Sequence, residues 1–158
     1  MTEITVYTDG AARGNPGNGG YGVVMISGKY RKEISQGFAC TTNNRMELLA
    51  VIVALENIKS ENASVTVYSD SKYVVDAVNE GWLKSWERTY FKNRKNPDLW
   101  TRFLKSYKRH KVKFVWVKGH AGNQLNELCD KMAVEASMQA SLQKDEGYIG
   151  SIENKTLL

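Results

Sequence analysis

Cysteine is scarce: Cys40 and Cys129 are the only two in 158 residues, and they show no Cys-x-x-Cys spacing. Two cysteines are too few for a disulfide framework, so reduced structural thiols are expected. Histidine is as rare, also at two, which leaves no Cys/His cluster and makes zinc an unexpected ligand. No apolar run approaches the ~18 residues of a transmembrane helix. The start, Met1-Thr2-Glu3, lacks the charged and apolar regions of a signal peptide, so a cytoplasmic protein is expected. Internal repeats and low-complexity segments are missing as well. What remains is ordinary for one globular domain, 42% hydrophobic and 25% charged, and long enough to bury a substantial core.

The charge is unevenly placed. The net value is +5, yet residues 84–113 hold eleven of the 22 Lys and Arg and only two acids, Glu87 and Asp98. The rest of the chain has 11 basic and 15 acidic residues. A mildly acidic body thus carries one strongly basic segment, which suggests a polyanionic partner; the plainer alternative is a solvated helical face and loop.

The first strand runs through Ile4 and Val6, β-branched residues in a strand-forming stretch, and is ended by Asp9-Gly10 and a glycine-rich loop. Tyr21 to Ile26 and Tyr30 to Cys40 read as two more strands of an antiparallel meander. Residues 44–59 switch to helical spacing, with Asn44 and Glu47 placed as a capping pair. A strand over 63–69 runs into Asp70 and returns parallel to the first. Two short helices, 71–80 and 81–88, meet near Gly81. Pro97 opens a further helix with an apolar stripe from Leu99 to Tyr107. Val112 to Val117 is a fifth strand, and a last helix is expected from Gln124 to near Leu142. From Gln143 to Leu158 the pattern fades, so residues 1–142 are taken as the domain and 143–158 as a loosely held tail. The order β-β-β-α-β-α-α-α-β-α describes an α/β domain with helices on a mixed sheet.

Ligand sites in such sheets gather at strand ends where connections diverge. Asp9 and Asp70 end strands one and four, Glu47 sits at the start of the first long helix, and Asp130 lies in the last helix. Each has an ordinary structural reading: a turn dipeptide, an N-cap, a capping-box acid, a surface charge. Together they would repel unless cations neutralised them. Oxygen-only ligands favour a hard cation, Mg²⁺ or Mn²⁺, and a pair of ions roughly 4 Å apart suits phosphodiester hydrolysis. His120, in the Gly-flanked Lys118-Gly119-His120-Ala121-Gly122, is suited to carry protons near neutral pH.

Six stretches in order carry a resemblance over roughly residues 3–136: Tyr7-Thr8-Asp9-Gly10, Gly14-Asn15-Pro16-Gly17, Thr42-Asn43-Asn44-Arg45-Met46-Glu47, Ser69-Asp70-Ser71, Trp116 to Gly122, and Asn126-Glu127-Leu128-Cys129-Asp130. The chain resembles the bacterial type 1 ribonucleases H. The resemblance implies a ribonuclease H-like α/β fold: a five-stranded mixed sheet in the order 3-2-1-4-5, strand 2 antiparallel, with helices on both faces. It implies a hydrolase that cuts the RNA strand of RNA/DNA hybrids with Mg²⁺, leaving 5′-phosphate and 3′-hydroxyl ends. By position, Asp9, Glu47, Asp70 and Asp130 match the family's metal-binding carboxylates, and His120 its proton-handling histidine. Asn15, Asn43 and Asn44 match minor-groove contacts, and Thr42 part of a phosphate pocket for the DNA strand.

The same resemblance gives the basic segment a role. Trp82, Lys84 and Arg88 fall where the family grips the DNA strand, although the stretch between Trp86 and Trp100 is several residues shorter than the familiar pattern. Lys72 stands where Gln is common and adds a cation beside Asp70-Ser71. A reverse-transcriptase domain, a strand-transfer enzyme of the same fold, and a non-catalytic hybrid-binding module are the rival readings. The last could lose its carboxylates without penalty, whereas all four are present here. A monomer is expected, because no apolar stripe is left over.

Overall fold

The computed structural model describes residues 2–119 and 123–157. Strands β1 (Glu3–Gly14), β2 (Gly17–Ser27) and β3 (Tyr30–Thr41) form the antiparallel meander. Helix α1 (Asn43–Glu56) then crosses over to β4 (Ser64–Ser69), which pairs parallel to β1. After α2 (Lys72–Asn79), α3 (Trp82–Arg88) and α4 (Pro97–Tyr107), β5 (Lys111–Trp116) pairs parallel to β4. Helix α5 (Gln124–Ser137), strand β6 (Gln143–Lys144) and helix α6 (Glu146–Leu157) complete the chain.

The sheet order is β5-β4-β1-β2-β3-β6. The expected five strands are therefore in the expected order, and a sixth, short strand is added parallel to β3 at Phe38 and Ala39. Helix α1 packs on one face and α5 on the other, where Gly22 of β2 meets the backbone of Cys129. Helix α1 is buried nearly all round because α4 covers the side away from the sheet. An aromatic chain of Tyr73, Trp100, Phe103 and Phe114 ties α2, α4 and β5 into one core.

Four details differ from the sequence reading. Strand β1 does not end at Asp9-Gly10 but runs on to Gly14, and β2 begins at Gly17, so most of the expected glycine-rich loop is antiparallel strand. Helix α1 is capped by Thr42, whose hydroxyl accepts from the Arg45 N–H at 3.2 Å, and not by an Asn44–Glu47 pair; Glu47 is thereby released for a longer-range partner. Helix α5 stops at Ser137, where the chain turns to bring Gln143 beside Phe38. The segment from Gln143 is strand and helix, because Asp145 is buried and bonded to the domain. It accepts from Arg45 Nε at 2.7 Å, Arg45 Nη2 at 2.9 Å and Thr41 Oγ1 at 2.6 Å. An ionic anchor leaves no hydrophobic periodicity to read. Both cysteines are free, Cys40 exposed and Cys129 buried, with the Cys129 thiol pushed up to about 12 by burial.

Candidate active site

The parallel register of β1 and β4 ends at Tyr7–Tyr68, but β1 runs on to Gly14 while β4 stops at Ser69. Continued by two residues, that register sets Asp9 opposite Asp70 at the mouth of the sheet. Glu47 reaches the same place from α1: the Gly10 N–H donates to Glu47 Oε1 at 2.8 Å and to Asp9 Oδ1 at 2.9 Å. One carboxylate oxygen from each of Asp9, Glu47 and Asp70 lies within 4.8 Å of the others. Asp130 lines the same cleft of about 380 Å³ from α5, outside that tight group, and Asn43, Asn44 and Lys72 also border it.

This closeness requires a glycine at position 10, since a Cβ there would collide with the backbone of Met46 and Glu47. Gly10→Ala is expected to lower stability by roughly 2 kcal/mol through overpacking between β1 and α1, read as an earlier urea midpoint at unchanged m-value.

The electrostatics are those of crowded, buried carboxyl groups. Burial pushes the Asp9 carboxyl up to about 7; the charges of Asp70 and Asp130 add to this, while hydrogen bonds from Glu47 and the Gly10 N–H oppose it. Glu47 is raised well above the usual carboxylate range, first by burial and then by Asp9 and Asp70. Among the described residues, Glu47 Oε2 is buried with no partner. A buried carboxyl oxygen left unsatisfied is costly, and a cation removes the cost. The donors are all oxygen, so the residues present fit a hard divalent ion.

A second, polar cleft of about 400 Å³ adjoins the first through Asn44. Asn15 and Thr42 line it, and the Asn43 N–H donates to Asn15 Oδ1 at 3.1 Å, tying the β1–β2 turn to the start of α1. Arg94 and Lys95 line it too. They belong to the basic segment, but composition alone gave them no individual role. Tyr148 and Ser151 of α6 line it without any sequence signal. Trp116 was also missed: its Nε1 donates to the Asp70 carbonyl at 3.2 Å, and its ring carries the Lys72 ammonium 4.8 Å above.

Trp82 is half exposed at the start of α3 and lines a separate cleft with Trp86 and Arg94. Lys84 and Arg88 are exposed on the same helix, and neither lines the acidic cleft. Trp86 is the half-buried member of the pair, edge-on to Trp100 at 5.6 Å with the Arg94 guanidinium 5.2 Å from its ring. His120 lies outside the described residues.

Adjacent parallel strands that bring Asp9 and Asp70 together with Glu47, beside a polar cleft and a basic segment, define a metal-dependent enzyme of phosphoryl transfer on a mixed α/β sheet. Residues 1–138 match the family model described as RNase H. The chain belongs to the ribonuclease H family. It is 53% identical over 158 residues to a ribonuclease H of Rippkaea orientalis, covering 97% of this chain and 94% of that one. Among solved structures it is similar to LC9-RNase H1, a type 1 RNase H with the type 2 active-site motif (TM-score 0.78, 30% identity, 87% of this chain and 72% of that one). It is also similar to LC11-RNase H1 in complex with RNA/DNA hybrid (TM-score 0.60, 28% identity, 84% and 95% covered). No helix among the described residues is long and apolar enough to cross a membrane.

Proposed function

We infer that the protein is an endonuclease that hydrolyses the RNA strand of RNA/DNA hybrids, leaving 5′-phosphate and 3′-hydroxyl ends. The observation that carries this is the cluster of buried Asp9 and Glu47 with half-buried Asp70, with its unpartnered Glu47 oxygen, at the floor of an asparagine-flanked cleft. Asp9, Glu47, Asp70 and Asp130 are the residues to hold one or two Mg²⁺ ions, with Mn²⁺ as a substitute. When bound, such ions stabilise the charge that develops on the phosphate and ease deprotonation of the attacking water.

The remaining residues bind and orient. Asn15 accepts from the Asn43 backbone through its amide oxygen, which leaves its NH₂ to donate to the hybrid. Asn43 and Asn44 border the carboxylates, where amides that both donate and accept can test for a 2′-hydroxyl. The Thr42 oxygen is used in capping α1, so its own proton is free to go to a phosphate oxygen. Trp82, Lys84 and Arg88 are assigned to the DNA strand, the ring against a deoxyribose and the cations against phosphates. His120 is assigned to proton movement and product departure. Support comes from Gly119, whose Cα stands so close to Asp70 that a Cβ there would lie 2.9 Å from its Oδ2; the chain thus reaches the cluster one residue before the histidine. All of these residues come from one chain, so a monomer suffices.

Lys72 supplies a cation to the cleft, held by the face of Trp116. Lys72→Gln is expected to raise KM for hybrid roughly three- to tenfold at low salt, with kcat changed less and the effect shrinking as salt rises. A KM unchanged at low ionic strength would count against a phosphate contact.

The direct test is gel analysis of an end-labelled RNA/DNA duplex with Mg²⁺, beside all-RNA, all-DNA and EDTA controls. RNA-strand cleavage of the hybrid alone, stopped by EDTA, is the expected result. Binding without cleavage in Mg²⁺ or Mn²⁺ would replace the enzyme with a hybrid-binding module.

A further inference from the structure

We propose that helix α6 is part of the substrate-binding surface, with Tyr148 and Ser151 facing a nucleic-acid backbone phosphate of the bound hybrid. The proposal rests on the hybrid-cleavage reading and adds to it a chain segment that the family match over residues 1–138 does not reach.

Three walls make the polar cleft. Thr42 and Asn44 form one, Arg94 and Lys95 the second, and Tyr148 and Ser151 of α6 the third. Two cations, the Tyr148 hydroxyl, and the amide and hydroxyl of the first wall are donors suited to one anionic group; the Ser151 hydroxyl donates to the Tyr148 carbonyl at 2.7 Å, so Ser151 contributes its exposed position at the rim and not a free donor. Phosphate is the anion that a nucleic-acid backbone offers. The cleft is continuous with the carboxylate cleft through Asn44, so a backbone crossing one passes the other.

What makes α6 a wall and not a passing tail is the joint at its start. Asp145 precedes the helix and accepts from the Tyr148 N–H at 3.4 Å, as a cap. The same carboxylate is bonded to Arg45 and to Thr41, the neighbour of Thr42. Arg45 in turn holds Asp98 at 2.9 and 2.7 Å and Asn96 at 3.1 Å, next to Lys95. One guanidinium therefore sets all three walls relative to one another. Gly147 lies flat on this joint, since a Cβ there would run into Asp98 Oδ2 and Arg45 Nη2.

The test uses charge at Ser151, an exposed position where substitution leaves the core untouched. In the full-length protein, Ser151→Asp is expected to raise KM for a labelled hybrid roughly tenfold at low salt, and Ser151→Lys to lower it roughly threefold. Both are expected to leave kcat within about twofold and Tm within about 2 °C. Tyr148→Phe, which removes only the hydroxyl, is expected to raise KM two- to fivefold. The same charge changes at Tyr30, at the far end of β3, control for the overall field of the protein. Opposite KM shifts at residue 151, larger than those at residue 30, support the proposal. Wild type that cleaves hybrid while both Ser151 variants match the Tyr30 controls overturns the role of α6 alone. Wild type that neither binds nor cleaves hybrid overturns the reading beneath it.

Discussion

Asp9→Asn is expected to reduce hybrid cleavage by roughly 10³-fold or more while making the metal-free protein harder to melt. Both effects come from the same carboxylate. In the folded chain the Asp9 carboxyl is pushed up to about 7 by burial, with Asp70 and Asp130 adding to it, and Glu47 is raised with it. An acid whose folded pKa exceeds its unfolded value contributes stability that is complete below the ordinary carboxylate range and is lost as pH rises through the folded value. For Asp9 that window runs from 3.8 to about 7. Above it, metal-free wild type holds ionised carboxylates in a site that has desolvated them. Asparagine carries no charge to desolvate, so the variant should gain on the order of 2 kcal/mol at pH 8, or roughly 5 °C in Tm. At pH 4 the gain should vanish, because wild type is then protonated as well. Mg²⁺ should raise the wild-type Tm at pH 8 and do little for the variant. Calorimetry at both pH values, in EDTA and in Mg²⁺, reads all four quantities. A variant less stable than wild type at pH 8 in EDTA would show that the carboxylates are satisfied without a cation.

Hydrophobic spacing carried the fold to a definite point. The alternation in β1 and β4, the apolar run of β2, the helical stripe from Leu99 to Tyr107 and Pro97 at a helix start are all short-range patterns, and the elements stand where those patterns lie. The convergence of Asp9 and Asp70 was legible for a related reason. Two strands joined by a helical crossover pair in parallel, and acids two residues beyond the last paired positions, Tyr7 and Tyr68, then meet, although β1 itself runs on to Gly14. What was not legible depends on contacts distant in the chain. Glu47 reads locally as a capping acid, yet its partner is the Gly10 N–H, 37 residues away. Asp145 reads as one more charge in a polar tail, yet its partner lies 100 residues back. Neither pairing leaves a period in the sequence. The Thr42 to Glu47 stretch shows how densely such uses are stacked. Thr42 caps the helix, Asn43 and Asn44 face the clefts, Arg45 turns into the ion cluster, Met46 is fully buried, and Glu47 enters the carboxylate site. A periodicity count sees only Met46 among them.

Arg45→Met is expected to be among the most destabilising single substitutions in the chain, by roughly 3–5 kcal/mol. The side chain is 3% exposed and makes its bonds to both Asp98 and Asp145 with one planar group. Burial opposes its charge, but the hydrogen bonds and charges of Asp98 and Asp145 outweigh this and hold the guanidinium protonated more firmly than usual. Burial likewise opposes ionisation of Asp98, yet Arg45 holds that carboxyl below its ordinary range. Removing the arginine leaves the buried Asp145 carboxylate with only the Thr41 hydroxyl and the Tyr148 N–H, in a place where an unpaired charge is costly. A fall in Tm of roughly 10 °C follows for a domain of this size. Arg45→Lys keeps the charge but cannot fork to two carboxylates, so it should recover part of the loss. Arg45→Met combined with Asp145→Asn should recover more than the sum of the single effects implies, since the stranded charge is then gone. Urea unfolding of these variants and of Asp145→Asn alone measures this, and limited proteolysis asks whether α6 is released. A cost below about 1 kcal/mol for Arg45→Met would mean that water reaches the cluster and that it behaves as a surface pair. The acidic site would then owe nothing to it. At the expected cost, the arginine two residues before Glu47 fixes the start of α1 from the side opposite Gly10, and the geometry of the carboxylate site depends on both.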